Sequence, residues 1–408
     1  MIRERRKTEQ MNIGQKQLIA MLAGFLAIAL GLGGWLVAGL LKNDKPEPDT
    51  GPAKADENTI TYDPEGNAMT VSRDNFNLTG RFLIREDEGI VHYISVWTGA
   101  EIGFSFSGTE AWCYMSGQTD LGALSGVYAG LYIDGSDEPS GILEVTEAKW
   151  YKVAGGLKAG DHTVRVIKHS EAFGGRLDFS QIKVTAPGSL YKAPSLPAMK
   201  LEIIGDSITA GYGNMADRAS DPFNIKEENG YLAYGSILAR RLGAQAHILA
   251  WSGIGVLQNN DGRSINTMPK IYELAVPGVN RTLWDFTTYQ PDIILVNLGT
   301  NDMASNASPE DFKAAYIDFI ALIRKNNPDA AIFCTMGAMG TRLVPAMEEA
   351  VGSIRKAGDD KVISIPMPQQ LASDGYGADG HPSFATHEKM ADFLYKAITE
   401  YLRASTDP

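Results

Sequence analysis

Four short stretches of this sequence place reactive or hydrogen-bonding groups where an apolar run stops. Gly205-Asp206-Ser207-Ile208-Thr209-Ala210-Gly211-Tyr212-Gly213 brings a serine hydroxyl to a sharp turn at which a helix can begin. Trp251-Ser252-Gly253-Ile254-Gly255 is a place where the backbone can approach a ligand closely, because glycine has no Cβ in the way. Gly299-Thr300-Asn301-Asp302 adds a carboxamide donor, and Asp379-Gly380-His381-Pro382-Ser383 adds an imidazole. A serine hydroxyl is too weak a nucleophile at its own pKa and needs an adjacent base. Each stretch alone is a weak signal; the four together, in chain order, carry weight. Metal chemistry has no comparable support: the 6 histidines are scattered without an HExxH-like spacing. Cys113 and Cys334 lie in separate apolar runs, AWCYM and AIFCTM, and read as buried free thiols.

The four stretches must be brought to one place, and the surrounding pattern says how. From residue 199 onward, MKLEIIG, AQAHILA, PDIILVNLG, AAIFCTMG and DKVISIPM are almost wholly apolar, as strands of a parallel sheet covered on both faces must be. Helices alternate with them. The clearest is expected over 309–325, with Ser308 as N-cap, Pro309 at N1 and Asp311 at N3. Phe312, Ala315, Tyr316, Phe319, Ile320 and Ile323 share one of its faces. This half therefore predicts a three-layer α/β/α domain, whose reactive groups gather beyond the carboxyl ends of the strands.

Residues 60–187 read differently. Runs such as GRFLI, IVHYISVW, EIGFSFSG, AWCYM, GVYAGLYIDG and HTVRVIKH alternate apolar and polar positions between turn residues. A β-sandwich of the jelly-roll kind is expected. The pattern stops around Pro187, Pro194 and Pro197, which puts the second domain at 188–408.

At 408 residues the chain is long enough for two domains and the termini around them. Its net charge of -12 repels phosphate backbones, so nucleic acid is not an expected partner. Residues 18–41 form a run without a charge, long enough as a helix to cross about 30 Å of hydrocarbon. Arg3, Arg5, Arg6, Lys7 and Lys16 precede the run, whereas Lys42 and Lys45 follow it closely. The positive-inside bias then makes 1–17 a cytoplasmic terminus, 18–41 a membrane anchor and 42–59 a Pro- and Gly-containing tether, with everything beyond outside the cell. A cleaved signal peptide is the other reading, but no Ala-x-Ala pattern follows the run.

GDSITAGYG, SGIG, LGTND and DGHPS resemble the four sequence blocks of the GDSL or SGNH hydrolases, over residues 199–402. With a sandwich ahead of them, and IKHSEAFGG near its end, the chain is similar to the two-domain carbohydrate esterases grouped as family 2. The resemblance implies removal of acetyl groups from acetylated plant or cell-surface polysaccharide, with no metal and no cofactor. It makes Ser207 the nucleophile and His381 the base. The Ser207 N–H, the Gly253 N–H and the Asn301 side chain become the donors for the oxyanion. The fold also hosts lipases and thioesterases, and a non-catalytic surface carbohydrate-binding protein is a third possibility.

Other polar and aromatic residues near the blocks divide between structure and substrate. Asp206 and Asp302 read as loop-holding acceptors, and His387 as a packing residue of the C-terminal helix. Tyr212, Trp251 and Trp284 are candidates to stack on a sugar ring, with core packing as the alternative for each. Asp379 departs from the commoner family pattern, in which the acid stands three residues before the histidine; here that position is Ala378. Asp379 is nevertheless expected to orient His381 as the third catalytic residue. The alternative is a serine–histidine pair oriented by backbone carbonyls.

Overall fold

The computed structural model describes residues 60–70, 73–119 and 126–406. The expected cytoplasmic terminus, membrane anchor and tether (1–59) lie outside the described residues. Among the described residues no helix is long and apolar enough to cross a membrane.

The first half is built from short antiparallel strands in two sheets. One sheet runs β1 (Ile60–Tyr62), β2 (Ala68–Thr70), β12 (Arg176–Val184), β5 (Ile90–Ser95) and β4 (Leu83–Asp87), with β7 (Ala111–Gln118) on β12 and β10 (Lys149–Ala154) on β7. The other runs β13 (Ser189–Leu190), β6 (Glu101–Gly108), β11 (Gly160–Lys168), β8 (Val127–Ile133) and β9 (Gly141–Val145), with β3 (Phe76–Thr79) on β6. Alternation decides what faces inward. Ile102, Phe104 and Phe106 of β6 pack against Cys113 and Met115 of β7 and against Leu177, Phe179 and Ile182 of β12 in one core. Strand β13 belongs to this half, so its last strand lies just past the boundary expected at 187. Leu190 packs into the sandwich core, which draws the proline-rich segment along that sheet before the chain leaves it. Cys113 and Cys334 are buried free thiols, as read from their apolar runs.

The second half has a 5-stranded parallel sheet in the order β15 (Gln245–Ala250), β14 (Lys200–Gly205), β16 (Ile293–Asn297), β17 (Ala331–Thr335) and β18 (Val362–Ser364). Its connecting helices are α1 (Ser207–Ala210), α2 (Tyr234–Leu242), α3 (Met268–Ile271), α4 (Thr300–Ala304), α5 (Pro309–Asn326), α6 (Val344–Lys356) and α7 (Phe384–Thr406). Successive strand residues feed opposite layers. Ile204, Ile294, Val296, Ile332 and Cys334 pack with α5 and α6, whereas Ile203, Ile293, Leu295 and Phe333 pack with α2 and α7. Helix α5 starts as its sequence dictates: the Ser308 Oγ accepts from the Asp311 N–H at 3.1 Å, and Phe312, Tyr316, Phe319, Ile320 and Ile323 are buried.

The two halves share a core. Leu83, Ile94, Val96, Trp97 and Ala172 of the sandwich join the same buried cluster as the α5–α6 layer. Trp97 donates its indole N–H to the Ala275 carbonyl at 2.9 Å. Arg81, with no side-chain exposure, reaches Glu202 of β14 at 3.0 Å and the carbonyls of Tyr272 and Leu274.

Candidate active site

Strand order places the chemistry. The chain goes from β14 outward to β15, then returns past β14 to β16, so the connections leave β14 and β16 in opposite directions. Such a reversal opens a crevice at the carboxyl ends. Ser207 follows β14 there, with the Trp251–Gly255 loop on one side and Thr300–Asn301 on the other. The turn is held by Asp206, which caps α1: its Oδ1 accepts from the Ile208 N–H at 3.0 Å. The chain then leaves at Gly211 and returns as Gly213, whose added Cβ would sit 2.4 Å from the Ala378 Cβ. Gly213 and Ala378 pack this closely because the Ala378 N–H donates to the Gly213 carbonyl at 3.0 Å. That contact lays the histidine loop directly on the serine turn.

His381 Nε2 lies 3.0 Å from Ser207 Oγ. Its Nδ1 faces the Ala378 carbonyl at 3.3 Å, and the Asp379 backbone carbonyl also favours the protonated ring. Burial dominates over these carbonyls and pulls the imidazole down to about 4, so it is neutral at pH 7 and able to take a proton. The residue is 1% exposed and Ser207 is 5% exposed.

The candidate donors lie at the start of α1 and in the loops after β15 and β16. Neither the Ser207 N–H nor the Gly253 N–H donates to an acceptor among the described residues. Gly253 has φ 79, a left-handed conformation that a side chain would strain. Asn301 is buried, and its Nδ2 donates to the Ile254 carbonyl at 2.8 Å and more loosely to Asp206 Oδ2 at 3.3 Å. Burial pushes the Asp206 carboxyl up to about 7, and the nearby Asp302 adds to the effect.

Several expected roles differ from the geometry. The Asp379 carboxylate accepts from the Tyr212 hydroxyl at 2.9 Å, so the side chain expected to orient His381 is turned to a tyrosine and backbone carbonyls face the imidazole instead. The cause is local: Asp379 adopts φ 50 between Ala378 and Gly380. Tyr212 is no open platform for a sugar. It is 3% exposed, stacked on Phe223 with centroids 4.0 Å apart, and its other neighbour is the His381 ring at 4.2 Å. Trp284 lies away from the site, over the Arg81 guanidinium at 5.5 Å and edge-on to His247 near the start of β15. A buried cation attracted this ring. Trp251, in contrast, is half-buried in the loop beside Gly253, edge-on to Trp97.

The remaining acids and the second histidine have structural partners. Asp302 accepts the N–H groups of Val256, Leu257 and Gln258 at 2.8 to 3.0 Å, fixing the loop after Gly255. His387 accepts from the Tyr234 N–H at 3.2 Å and stacks on that ring. Among the described residues no group of three or more His, Cys, Asp or Glu is placed to hold a metal ion. One contact escaped the sequence reading: Glu171 of the sandwich bonds both the N–H and the hydroxyl of Ser252, the residue before Gly253. Its only signal was membership of IKHSEAFGG.

The α/β half that carries this serine and imidazole matches, over residues 203–389, the GDSL-like lipase/acylhydrolase family. Residues 78–194 match the N-terminal domain of carbohydrate esterase 2. The chain belongs to the family 2 carbohydrate esterases. It is 30% identical to an acetylxylan esterase/glucomannan deacetylase of Cellvibrio japonicus, over 61% of this chain and 68% of that protein. It is 35% identical to the cellulase/esterase CelE of Acetivibrio thermocellus over 82% of this chain, but spans only 41% of that longer protein. A family two carbohydrate esterase from Clostridium thermocellum in complex with cellohexaose superposes with a TM-score of 0.74, at 35% identity, over 80% of this chain and 99% of that one.

Proposed function

We propose that this protein removes O-acetyl groups from polysaccharide through an acyl-enzyme on Ser207. The observation that carries the reading is the 3.0 Å approach of His381 Nε2 to Ser207 Oγ, supported by the N–H groups of Ser207 and Gly253, which donate to nothing among the described residues. Ser207 Oγ attacks the acetyl carbonyl while His381 Nε2 takes its proton. The Ser207 and Gly253 N–H groups and Asn301 Nδ2 receive the oxyanion. Asn301 can do so by giving up its looser bond to Asp206. The proton then passes from His381 to the sugar hydroxyl as it leaves, and water releases acetate by the same route. Trp251, half-buried in the loop beside Gly253, is the aromatic residue that would meet a sugar ring; of the relatives named above, one is an acetylxylan esterase/glucomannan deacetylase and another is in complex with cellohexaose. The sandwich is read as a jelly roll that helps to frame this site.

The test is acetate release by the full chain from acetylated xylan and acetylated glucomannan, beside hydrolysis of long-chain esters. Acetate release by the parent and none by Ser207→Ala or His381→Ala is expected. Preference for the long-chain esters makes the protein a lipase instead, and glycan binding without any hydrolysis makes it a binding protein. We also propose that residues 18–41 anchor the chain with its folded part outside the cell, supported by the charge asymmetry around that run. Protease added to intact cells should then release an active fragment cut between about residues 42 and 59. Activity free in the medium without protease would instead mark a cleaved signal.

A further inference from the structure

The segment at the end of β11, Lys168-His169-Ser170-Glu171, turns away from solvent and into the hydrolase half. Lys168 is fully buried, and its ammonium donates to the carbonyls of Val96, Ser170 and Glu171 at 2.9, 2.5 and 3.0 Å. These bonds fix the turn from which Glu171 projects. Glu171 is buried too, and its carboxylate crosses the domain boundary: Oε2 accepts from the Ser252 N–H at 2.6 Å and Oε1 from the Ser252 hydroxyl. The Glu171 N–H in turn donates to Glu228 at 2.8 Å. Ser252 is thus held at both its backbone and its side chain by the other domain.

The peptide bond that follows Ser252 carries the Gly253 N–H. Glycine at φ 79 has no side chain to fix its orientation, so the direction of that N–H depends on what holds Ser252. We infer that Glu171 is a positioning residue for the oxyanion hole: the sandwich sets the aim of the Gly253 N–H by clamping Ser252, so the active site is completed across the domain boundary. The inference rests on the reading of Ser207 as an esterase nucleophile.

Simple adhesion between the halves explains the arrangement less well. That task has its own groups in the shared core, the Arg81–Glu202 pair and the Trp97–Ala275 bond. Two acids buried side by side are a poor adhesive, since desolvation opposes charge on either: burial and the neighbouring Glu171 hold the Glu228 carboxyl well above the usual carboxylate range, and the two share a side-chain hydrogen bond. Burial pushes the Glu171 carboxyl up to about 7 against the pull of its Ser252 bonds and of Lys168. Both of its oxygens nevertheless accept from Ser252, one from the N–H and the other from the hydroxyl.

The experiment measures kcat and KM on an acetyl ester, with thermal melting, for Glu171→Ala, Glu171→Gln, Ser252→Ala and the Gln/Ala double variant. Glu171→Ala should lower kcat about a hundredfold, the scale of one oxyanion donor, with KM within about threefold. Glu171→Gln should restore kcat to within about tenfold of the parent, because its amide oxygen still accepts from the Ser252 N–H. In the double variant the losses should not multiply, since both substitutions act through one contact. A folded Glu171→Ala with kcat within about threefold of the parent, or a change confined to KM, overturns the inference. If Glu171→Ala does not fold, the Gln and Ser252 variants decide: independent, multiplying losses overturn it. No acetyl-ester hydrolysis by the parent sinks the esterase reading itself, whereas a parent that works and is silenced by Ser207→Ala leaves that reading standing whatever Glu171 does.

Discussion

An imidazole that serves as a base must have its far nitrogen held as a donor, so that the near one can accept. In this protein backbone dipoles face that far nitrogen: the Ala378 carbonyl lies 3.3 Å from His381 Nδ1, while the Asp379 carboxylate goes to the Tyr212 hydroxyl. A well-placed acid at this position is worth about 10⁴ in kcat; one turned to a tyrosine is not. Asp379→Asn should therefore leave kcat within about fivefold, because an asparagine oxygen still accepts from Tyr212 and asparagine tolerates φ 50. Steady-state kinetics beside His381→Ala, expected to be inactive, checks this. A hundredfold loss in Asp379→Asn would show that the carboxylate reaches the imidazole during turnover. The approach of His381 to Ser207 was legible because each lies in a recognisable block beyond a strand end. The direction of the Asp379 side chain was not, because a single left-handed residue rotates it and residue spacing does not record φ. Glu171 was hidden for a different reason: it touches Ser252 from another domain, and no local pattern encodes such a contact.

Secondary structure brings these residues together through the order of five strands. β14 lies between β15 and β16, so the loops after those two strands flank the serine that follows β14. Period and caps made these elements readable. Helix α5, expected over 309–325, runs Pro309–Asn326, because Ser308 and Pro309 specify its start and an apolar stripe specifies its buried face. The parallel strands were readable as uninterrupted apolar runs, since both of their faces are covered. Pairing in the sandwich was much less so: β12 joins β7 on one side and β5 and β2 on the other, across long loops that leave no mark in the sequence. Trp284 takes the core-packing alternative for a related reason. Its partner His247 sits near the start of β15 and Arg81 comes from the sandwich, so the ring belongs to the end of the sheet remote from Ser207.

At the scale of the molecule, the sandwich and the hydrolase half behave as parts of one packed body, because apolar residues of both meet in the same cluster. The most exacting contact between them is Arg81. Its guanidinium is wholly buried, bonded to Glu202 at 3.0 Å and flanked by the rings of Tyr272, Trp284 and Phe286 at 5.0 to 5.5 Å. Glu202 sits in β14, the strand that leads to Ser207, and its other oxygen accepts from the Tyr272 hydroxyl at 2.9 Å. Replacing Arg81 by methionine keeps much of the packing but leaves a buried carboxylate without its cation, a change that typically costs about 3–5 kcal/mol. Glu202→Gln in the same chain removes the stranded charge and should recover part of that loss. Urea unfolding of the parent, Arg81→Met and the double variant measures both effects. The parent should unfold in a single transition, the midpoint should fall in Arg81→Met, and it should rise again in the double variant. A separate early transition for one half of the parent would show that the shared core does not couple the domains. An unchanged midpoint in Arg81→Met would show that the pair contributes nothing that the surrounding rings do not already supply.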